Sequence, residues 1–484
     1  MTGDLKLYAA MKDSRVPWLG VIPEHWEIRQ LGRMGQFSKG NGGTKEDEVI
    51  DGVSCVRYGD LYMHHEFFIR KSHSCVTPER AMDYTPIRYG DLLFAGSGET
   101  IEEIGKSAVN LIESEACCGG DVILFRPAID VDPPFLGYAT DCPQAVHQKA
   151  CMGRGITVMH IYGHQLKYMW IAVPPLPEQT AIVRYLDYID LRVRRYIRAK
   201  QKLIALLEER KQAIIHRAVT RGLDPDVRLK PSGVEWLGDV PERWQVRRLG
   251  DSVADCVNGV WGSEPNGVDD LPCVRVADFD RRRLRVRVHE PTIRAVSPNE
   301  RRGRILKSGD LLLEKSGGGD QQPVGVVMLY DHDLPAVCSN FVARMPVNDG
   351  YDPGFLTFLH SALYAIRLNT RSIKQTTGLQ NLDSSAYLAE RVSYPPLSEQ
   401  VAIVGYLDKA TADIDTAVDR ARRQIDLVRE YRTRLIADVV TGKLDVRDVA
   451  IDDAVEEHAP DDKGVLEDED ARYMSGGEED PDGA

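Results

Sequence analysis

The chain repeats itself. Trp18–Gly32 (WLGVIPEHWEIRQLG) returns as Trp236–Gly250 (WLGDVPERWQVRRLG) with nine identities at an offset of 218. Cys55–Leu61 (CVRYGDL) returns at that offset as Cys273–Phe279 (CVRVADF). Gly90–Leu93 (GDLL) returns at 219 as Gly309–Leu312, and Pro174–Asp187 (PPLPEQTAIVRYLD) returns at 221 as Pro395–Asp408 (PPLSEQVAIVGYLD). The order is kept and the offset drifts by only three residues, so the 484-residue chain is two copies of one module. A length of this kind favours several domains in any case.

Each copy has two parts. The first, about residues 12–173 and 230–394, mixes short apolar runs such as DLLFA, DVILF, DLLLE and VGVVMLY with Gly-rich turns and a few helical stretches. That pattern predicts an α/β (α+β) globular domain with a substantial sheet. The second part follows a Pro-Pro pair. Glu178–Val219 contains no Gly or Pro, and its partner Glu399–Val440 contains only Gly405. Pro177 and Ser398 suit helix starts, and Glu178 and Glu399 complement the positive end of a helix dipole.

Apolar residues on these two helices alternate by four and three. In the first they run Ile182, Leu186, Ile189, Val193, Tyr196, Leu203, Leu207 and Ile214, with Lys200 and Arg210 interrupting. In the second they run Ile403, Leu407, Ala410, Ile414, Ala417, Ala421, Val428, Tyr431 and Leu435. This is the pattern of a coiled coil; two long helices each packed on its own domain is the alternative. About fifteen residues (220–234) separate the first helix from the second globular part, so the second helix is expected to run back antiparallel. At about 1.5 Å per residue the pair forms a rod of roughly 60 Å between two homologous domains, related by an approximate two-fold axis. The domains so drawn are 1–173, 174–222, 223–394, 395–444 and a tail, 445–484.

Charge is unevenly placed. The chain carries a net −13, and residues 445–484 hold 16 acids against 3 bases, so the remaining 444 residues balance at 58 of each. The tail has too little apolar surface to fold and is expected to be disordered; it either mimics DNA or keeps the chain soluble. Electrostatic binding depends on where charge sits, not on its sum. Nine cysteines without a C-x-x-C pair argue against a disulfide framework or zinc ribbon. Cys55 and Cys273 match between copies, as do Cys118 and Cys338, which suits buried apolar thiols in a reducing cytoplasm. No apolar run reaches membrane-spanning length, and charges in the first fifteen positions argue against a signal peptide.

Two similar domains at a fixed separation suit DNA, whose half-sites are spaced by turns of roughly 34–36 Å. The globular parts diverge more than the helices do, so similar frames would read different half-sites. The paired W-L-G-x-x-P-x-x-W (Trp18 to Trp26, Trp236 to Trp244), V-R-x-x-D (Val56–Asp60, Val274–Asp278) and P-P-L-x-E-Q (Pro174–Gln179, Pro395–Gln400) resemble the specificity subunits of Type I restriction–modification systems, over about residues 12–444. The resemblance implies two target-recognition domains reading a bipartite double-stranded site. It implies two adenine methyltransferase subunits docked on the helices, joined by translocase–nuclease subunits. On that reading this chain is a non-catalytic cytoplasmic subunit without cofactor, metal or membrane contact; S-adenosylmethionine, ATP and Mg belong to its partners. One departure stands out: Lys12-Asp-Ser-Arg-Val where the second copy has Lys230-Pro-Ser-Gly-Val.

Candidate DNA contacts follow from residue type. Arg281, Arg282, Arg283, Arg285, Arg287, Arg294, Arg301, Arg302 and Arg304 crowd 24 residues, and the alternation in RLRVRVHE predicts a strand with one basic face. Arginine suits phosphate clamps and guanine contacts; a solvated face is the alternative. Arg57 and Arg275 hold equivalent places, fit for a shared backbone contact or a structural ion pair. The loops Ser97-Gly98, Lys315-Ser316-Gly317-Gly318-Gly319 and Lys374-Gln375-Thr376-Thr377-Gly378 offer polar groups on flexible backbone, or are ordinary turns.

Other chemistries fit less well. Asp132-Pro133-Pro134-Phe135 has the D-P-P-F form of amino-methyltransferases, and Phe94-Ala-Gly96-Ser-Gly98 imitates their cofactor motif. The second copy reads Leu313-Glu-Lys-Ser-Gly317 and Asp352-Pro-Gly-Phe355 at these places, so the shared element is an Asp-Pro helix start. The E-x-K triplet Glu209–Lys211 falls in a long helix, where a solvated charge pair accounts for it. No G-x-x-x-x-G-K-S/T loop occurs. A coiled-coil scaffold with two protein-binding domains keeps the same architecture.

Overall fold

Each copy builds its sheet from a glycine–aspartate turn. Gly90 (φ +85°) and Gly309 (φ +93°) adopt the left-handed conformation that a side chain resists. They deliver Asp91 and Asp310 to the start of a buried apolar strand. Each carboxylate is gripped from the neighbouring strand, Asp91 by Arg126 Nη2 and Asp310 by Arg344 Nε, both at 2.6 Å. Each also accepts a backbone N–H three residues upstream, from Arg88 and Lys307, both at 2.7 Å. A buried charge is tolerated when it is paired and hydrogen-bonded in this way.

The computed structural model describes residues 5–451 apart from Thr44, Glu99, Glu102, 156–158, Asp320 and 377–378. The expected disorder of the acidic tail concerns residues that, from 452 onward, lie outside those described. The chain divides into two compact units, one built from the stretch up to Arg198 together with the stretch from Gln424 onward, the other from Ala199–Arg423.

In the first unit a five-stranded sheet runs Gly35–Lys39, Val122–Pro127, Leu92–Ala95, Ser107–Asn110, Phe68–Ile69. A second runs Glu48–Val49, Ser74–Val76, Val53–Val56, Ala116–Cys118, Thr85–Ile87. The second unit repeats the central strands in the same neighbour relations. There the order is Val257–Asn258, Val342–Met345, Asp310–Glu314, Val327–Tyr330, Arg285–Val286, Phe279–Asp280. A smaller sheet of Thr292–Ala295, Asp270–Val274 and Val337–Cys338 accompanies it. Cys55, Cys118, Cys273 and Cys338 are all buried in these sheets.

The repeated motifs bind each domain to its helix. Gln179 accepts the Asp132 N–H at 2.8 Å and donates to the Pro174 carbonyl at 2.9 Å; Gln400 does the same for Asp352 and Pro395, at 2.8 and 2.9 Å. The glutamine of P-P-L-x-E-Q thus staples the start of a long helix to a short helix of the globular domain. Trp26 and Trp244 are fully buried beside these junctions. In the first unit Glu178 accepts from Trp26 Nε1 at 3.1 Å and from the Tyr8 hydroxyl at 2.5 Å, and Lys6 bridges Asp445 in antiparallel fashion. The N-terminal segment and the segment after the second long helix therefore meet at one place.

The long helices span Leu176–Arg221 and Leu397–Val440. Within the second unit Lys211 meets Asp415 and Glu208 meets Arg422, so the helices run antiparallel. The heptad stripe is present, shifted by one residue at alternate positions. On the first helix Ile197, Ile204 and Ile215 are buried where Tyr196, Leu203 and Ile214 were expected, and Leu203 is exposed. On the second, Thr411 and Val418 take the places of Ala410 and Ala417. From Leu407 to Val439 the buried or half-buried positions (Leu407, Thr411, Ile414, Val418, Ala421, Ile425, Val428, Arg432, Leu435, Val439) alternate by four and three without a break. That is the seven-residue repeat of a coiled coil, sustained for more than four heptads.

Candidate nucleic-acid interface

The V-R-x-x-D motif shapes backbone in both copies. Asp60 accepts the Arg57 N–H at 2.9 Å and Asp278 the Arg275 N–H at 2.7 Å, capping the turn that follows each strand. The Arg57 guanidinium bonds Glu48 at 2.8 Å, while Arg275 lies 3.7 Å from its own motif's Asp278. Both side chains are partly exposed.

Two loops far apart in sequence form one ribbon in the second domain. Ser316–Gly317 pairs with Leu379–Leu382, which pairs with Ile373–Thr376. The register sets Ser316 against Asn381 and Asn381 against Lys374, so the three lie in a row on one face. Burial alternates along the middle strand, with Gln380 and Leu382 in and Leu379 and Asn381 out, so that row faces solvent. Ser316 Oγ lies 2.6 Å from Asn381 Oδ1, and Lys374 Nζ is 2.7 Å from Asp383. Lys315 reaches Asn258 Oδ1 at 2.5 Å. Gln375 lies on the ribbon's outer strand, and Thr377 and Gly378 fall outside the described residues.

The first domain carries the equivalent ribbon with other side chains. Ser97 pairs with His160, and Ser97 Oγ lies 3.1 Å from His160 Nδ1. Beyond it, His160, Tyr162 and His164 form a ladder of near-parallel rings, with centroids 6.4 and 5.6 Å apart. Sequence reasoning missed Asn381, His160 and Tyr162. The alternation His-x-Tyr-x-His in 160–164 was the available signal; Asn381 had none.

The arginine-rich segment is not one basic strand. The alternating stretch 283–290 is a strand only at Arg285–Val286, preceded by a turn, and Arg294 lies on a separate strand, Thr292–Ala295. Arg281 bonds Glu314 with both oxygens at 3.0 Å, Arg285 bonds Asp331 at 2.6 Å, and Arg301 bonds Asp269 at 3.3 Å. Burial pushes the Glu314 carboxyl up to about 7, against the pull of Arg281. Arg294 bonds Glu264 at 2.5 Å and lies over the Trp261 ring. Arg304 bonds the Asn258 and Glu300 carbonyls, at 2.9 and 2.7 Å. Arg282 is tied to the second long helix, at Asp419 and Asp415. Arg283, Arg287 and Arg302 remain exposed, with no carboxylate at ion-pair distance among the described residues.

Asp132 and Asp352 do the same work: each caps its short helix by accepting the N–H of Phe135 or Phe355, at 3.1 and 2.9 Å. The D-P-P-F tetrad is this helix start. Lys211 of the E-x-K triplet is no solvated charge; it is 7% exposed and bonds Asp415 at 2.8 Å. A cleft of about 580 Å³ in the first unit is lined by Glu66, Lys106, Asp141, Lys149 and Arg432 among others. Its lysines converge on one carboxylate, Lys149 at 2.6 Å and Lys106 at 2.9 Å from Asp141. Among the described residues no three His, Cys, Asp or Glu are placed to hold a metal ion, and no helix is long and apolar enough to cross a membrane.

The fold and these sites define a duplicated chain with a constant frame, variable ribbons and two long antiparallel helices. By sequence it is similar to specificity subunits of Type I restriction enzymes. It is 20% identical to the StySPI subunit of Salmonella potsdam over 73% of this chain and 74% of that one. It is 21% identical to the MjaVIII subunit of Methanocaldococcus jannaschii, over 88% and 95%. The EcoKI subunit of Escherichia coli is 21% identical over 88% and 90%. A chain solved in work on complex assembly and conformational transition of the type I R-M system has the same fold, with a TM-score of 0.64, 18% identity, and coverage of 87% of this chain and 99% of that one. No family model matches. These likenesses support placing the chain among the specificity subunits of Type I restriction–modification systems.

Proposed function

We propose that the chain binds double-stranded DNA and selects a two-part site, one part through each globular domain, as the sequence-reading subunit of a Type I restriction–modification complex in the cytoplasm. The observation that carries this reading is one frame presenting two different polar ribbons: Ser97 and His160 in the first copy, Ser316, Asn381 and Lys374 in the second. Hydroxyl, amide and ammonium groups on an exposed ribbon suit base edges and phosphates, and Arg283, Arg287 and Arg302 are cations free for phosphate.

Chemistry is left to partners. Two methyltransferase subunits would carry S-adenosylmethionine, and translocase–nuclease subunits would carry ATP and Mg. Exposed leucines recur at equivalent helix positions, Leu176 with Leu397 and Leu206 with Leu427, which suits two copies of one partner.

Mapping methylated adenines across the genome with and without the gene yields the site and its gap. With the assembled complex, Arg283→Ala, Arg287→Ala and Arg302→Ala together are expected to weaken binding to all sequences alike. They should also flatten the log–log salt slope by up to about three, near one per lost phosphate contact. Asn381→Ala is expected to relax preference in one half-site only. Methylation unchanged on deletion of the gene, or binding indifferent to salt, contradicts the reading.

A further inference from the structure

Each globular domain is tied to the long helices by a cluster of ions, and the two clusters have opposite polarity. In the first unit the domain contributes an anion. Arg432 of the second long helix grips Glu66 through both oxygens, each at 2.6 Å, and reaches Asp190 of the first long helix at 2.6 Å. Arg194 bonds Asp190 at 2.7 Å and stands 4.0 Å from Glu66. In the second unit the domain contributes a cation. Arg282 bonds both oxygens of Asp419, at 2.5 and 2.6 Å, and lies 3.4 Å from Asp415. Lys211 completes that cluster, bonding Asp415 at 2.8 Å and the Arg282 carbonyl at 2.8 Å.

The repeat makes the contrast position by position. At the offset of 221, Lys211 corresponds to Arg432, a cation in both seats. Arg194 corresponds to Asp415, Arg198 to Asp419, and Arg429 to Glu208, and all three pairs change sign. The apolar positions beneath barely change: Ile182 and Ile403, Leu186 and Leu407, Ile204 and Ile425 are buried in both helices. Apolar packing of this kind accepts either domain on either seat. Charge does not, because a domain carrying Arg282 would meet Arg194 and Arg198, and one carrying Glu66 would meet Asp415 and Asp419. Like charges brought together during docking suppress the wrong pairing.

We propose that the two seats are coded by charge, so that each globular domain fits only its own and the order of the two domains along the helices is fixed. The inference does not rest on DNA binding, and its test contains no DNA. In the full chain, Arg282→Glu and Asp419→Arg are each expected to lower the thermal midpoint of the second unit by several degrees. Combined, they are expected to recover at least half of the summed loss, because the pair is restored in reverse. A chain in which residues 12–173 also replace 230–394 is expected to melt higher when Asp415→Arg and Asp419→Arg are present than on the native seat. Additive losses in the reversal pair overturn the code, whether or not the duplicated-domain chain folds. A duplicated-domain chain equally stable on both seats overturns it as well.

Discussion

Glu66 faces three cations, and its acidity reports them. Loss of hydration alone would raise its carboxyl, but the charge and hydrogen bonds of Arg432, then the charges of Lys106 and Arg194, outweigh it and hold the group down to about 2. The folded value is below the ordinary one of 4.5, so the stability Glu66 lends is complete above about pH 4.5 and is lost as pH falls toward 2. Glu66→Gln is expected to lower the thermal midpoint of the first unit near neutral pH. The gap from the native chain should close as pH is brought down to about 2; a gap that stays constant refutes the assignment. None of this could be read along the sequence, where an arginine's type is visible and its partner is not. Arg281 and Glu314 are 33 residues apart, Arg285 and Asp331 are 46, and Arg282 and Asp419 are 137. Arg281 and Arg285, expected to face DNA, are ion-paired for that reason, while Arg283 and Arg287, two residues away from one or the other, are not.

At the scale of elements the repeated motifs were legible as repeats, but their work was not. Gly-Asp-Leu-Leu marks a strand, and only the fold reveals that its aspartate needs an arginine 35 residues on in the first copy and 34 in the second. Arg344→Met would strand the Asp310 carboxylate in a buried site and is expected to cost about 3 kcal/mol. Urea unfolding of the second unit would show this as a lowered midpoint with an unchanged slope. The long helices were legible to within two residues at each end, because nothing in 178–219 or 399–440 breaks a helix. Their buried stripe was not. A four-three alternation can be laid in two phases that share every second contact, and the apolar pattern does not separate them. On the first helix the phase adopted turns Ile204 inward in place of Leu203. The ribbons were half legible: loop composition pointed to Ser97, Ser316 and Lys374, while His160 and Asn381 meet the two serines from 63 and 65 residues away.

For the molecule as a whole, duplication was the most legible fact and sequence continuity the most misleading one. The two copies follow one another along the chain, yet the compact units do not divide there. The first unit takes its helices from 176–198 and from 424 onward, and the second from 199–221 and 397–423. The first is also closed by Tyr8 on Glu178 and by Lys6 against Asp445. Truncation after Arg423 is therefore expected to leave the second unit resistant to limited proteolysis and the first one open, although the whole first globular domain is retained. Equal protection of both would contradict the division.

That division sets a birth order. A ribosome emits the chain from its amino end, so the domain synthesised first waits for later residues: Arg432 must emerge before Glu66 gains its two-oxygen contact, and Asp445 before Lys6 finds its bridge. The later-made domain, whose parts all lie between Ala199 and Arg423, is expected to have its full set of helix contacts available first. Until residues 424–445 have emerged, the older half of the protein is expected to be the unfinished one.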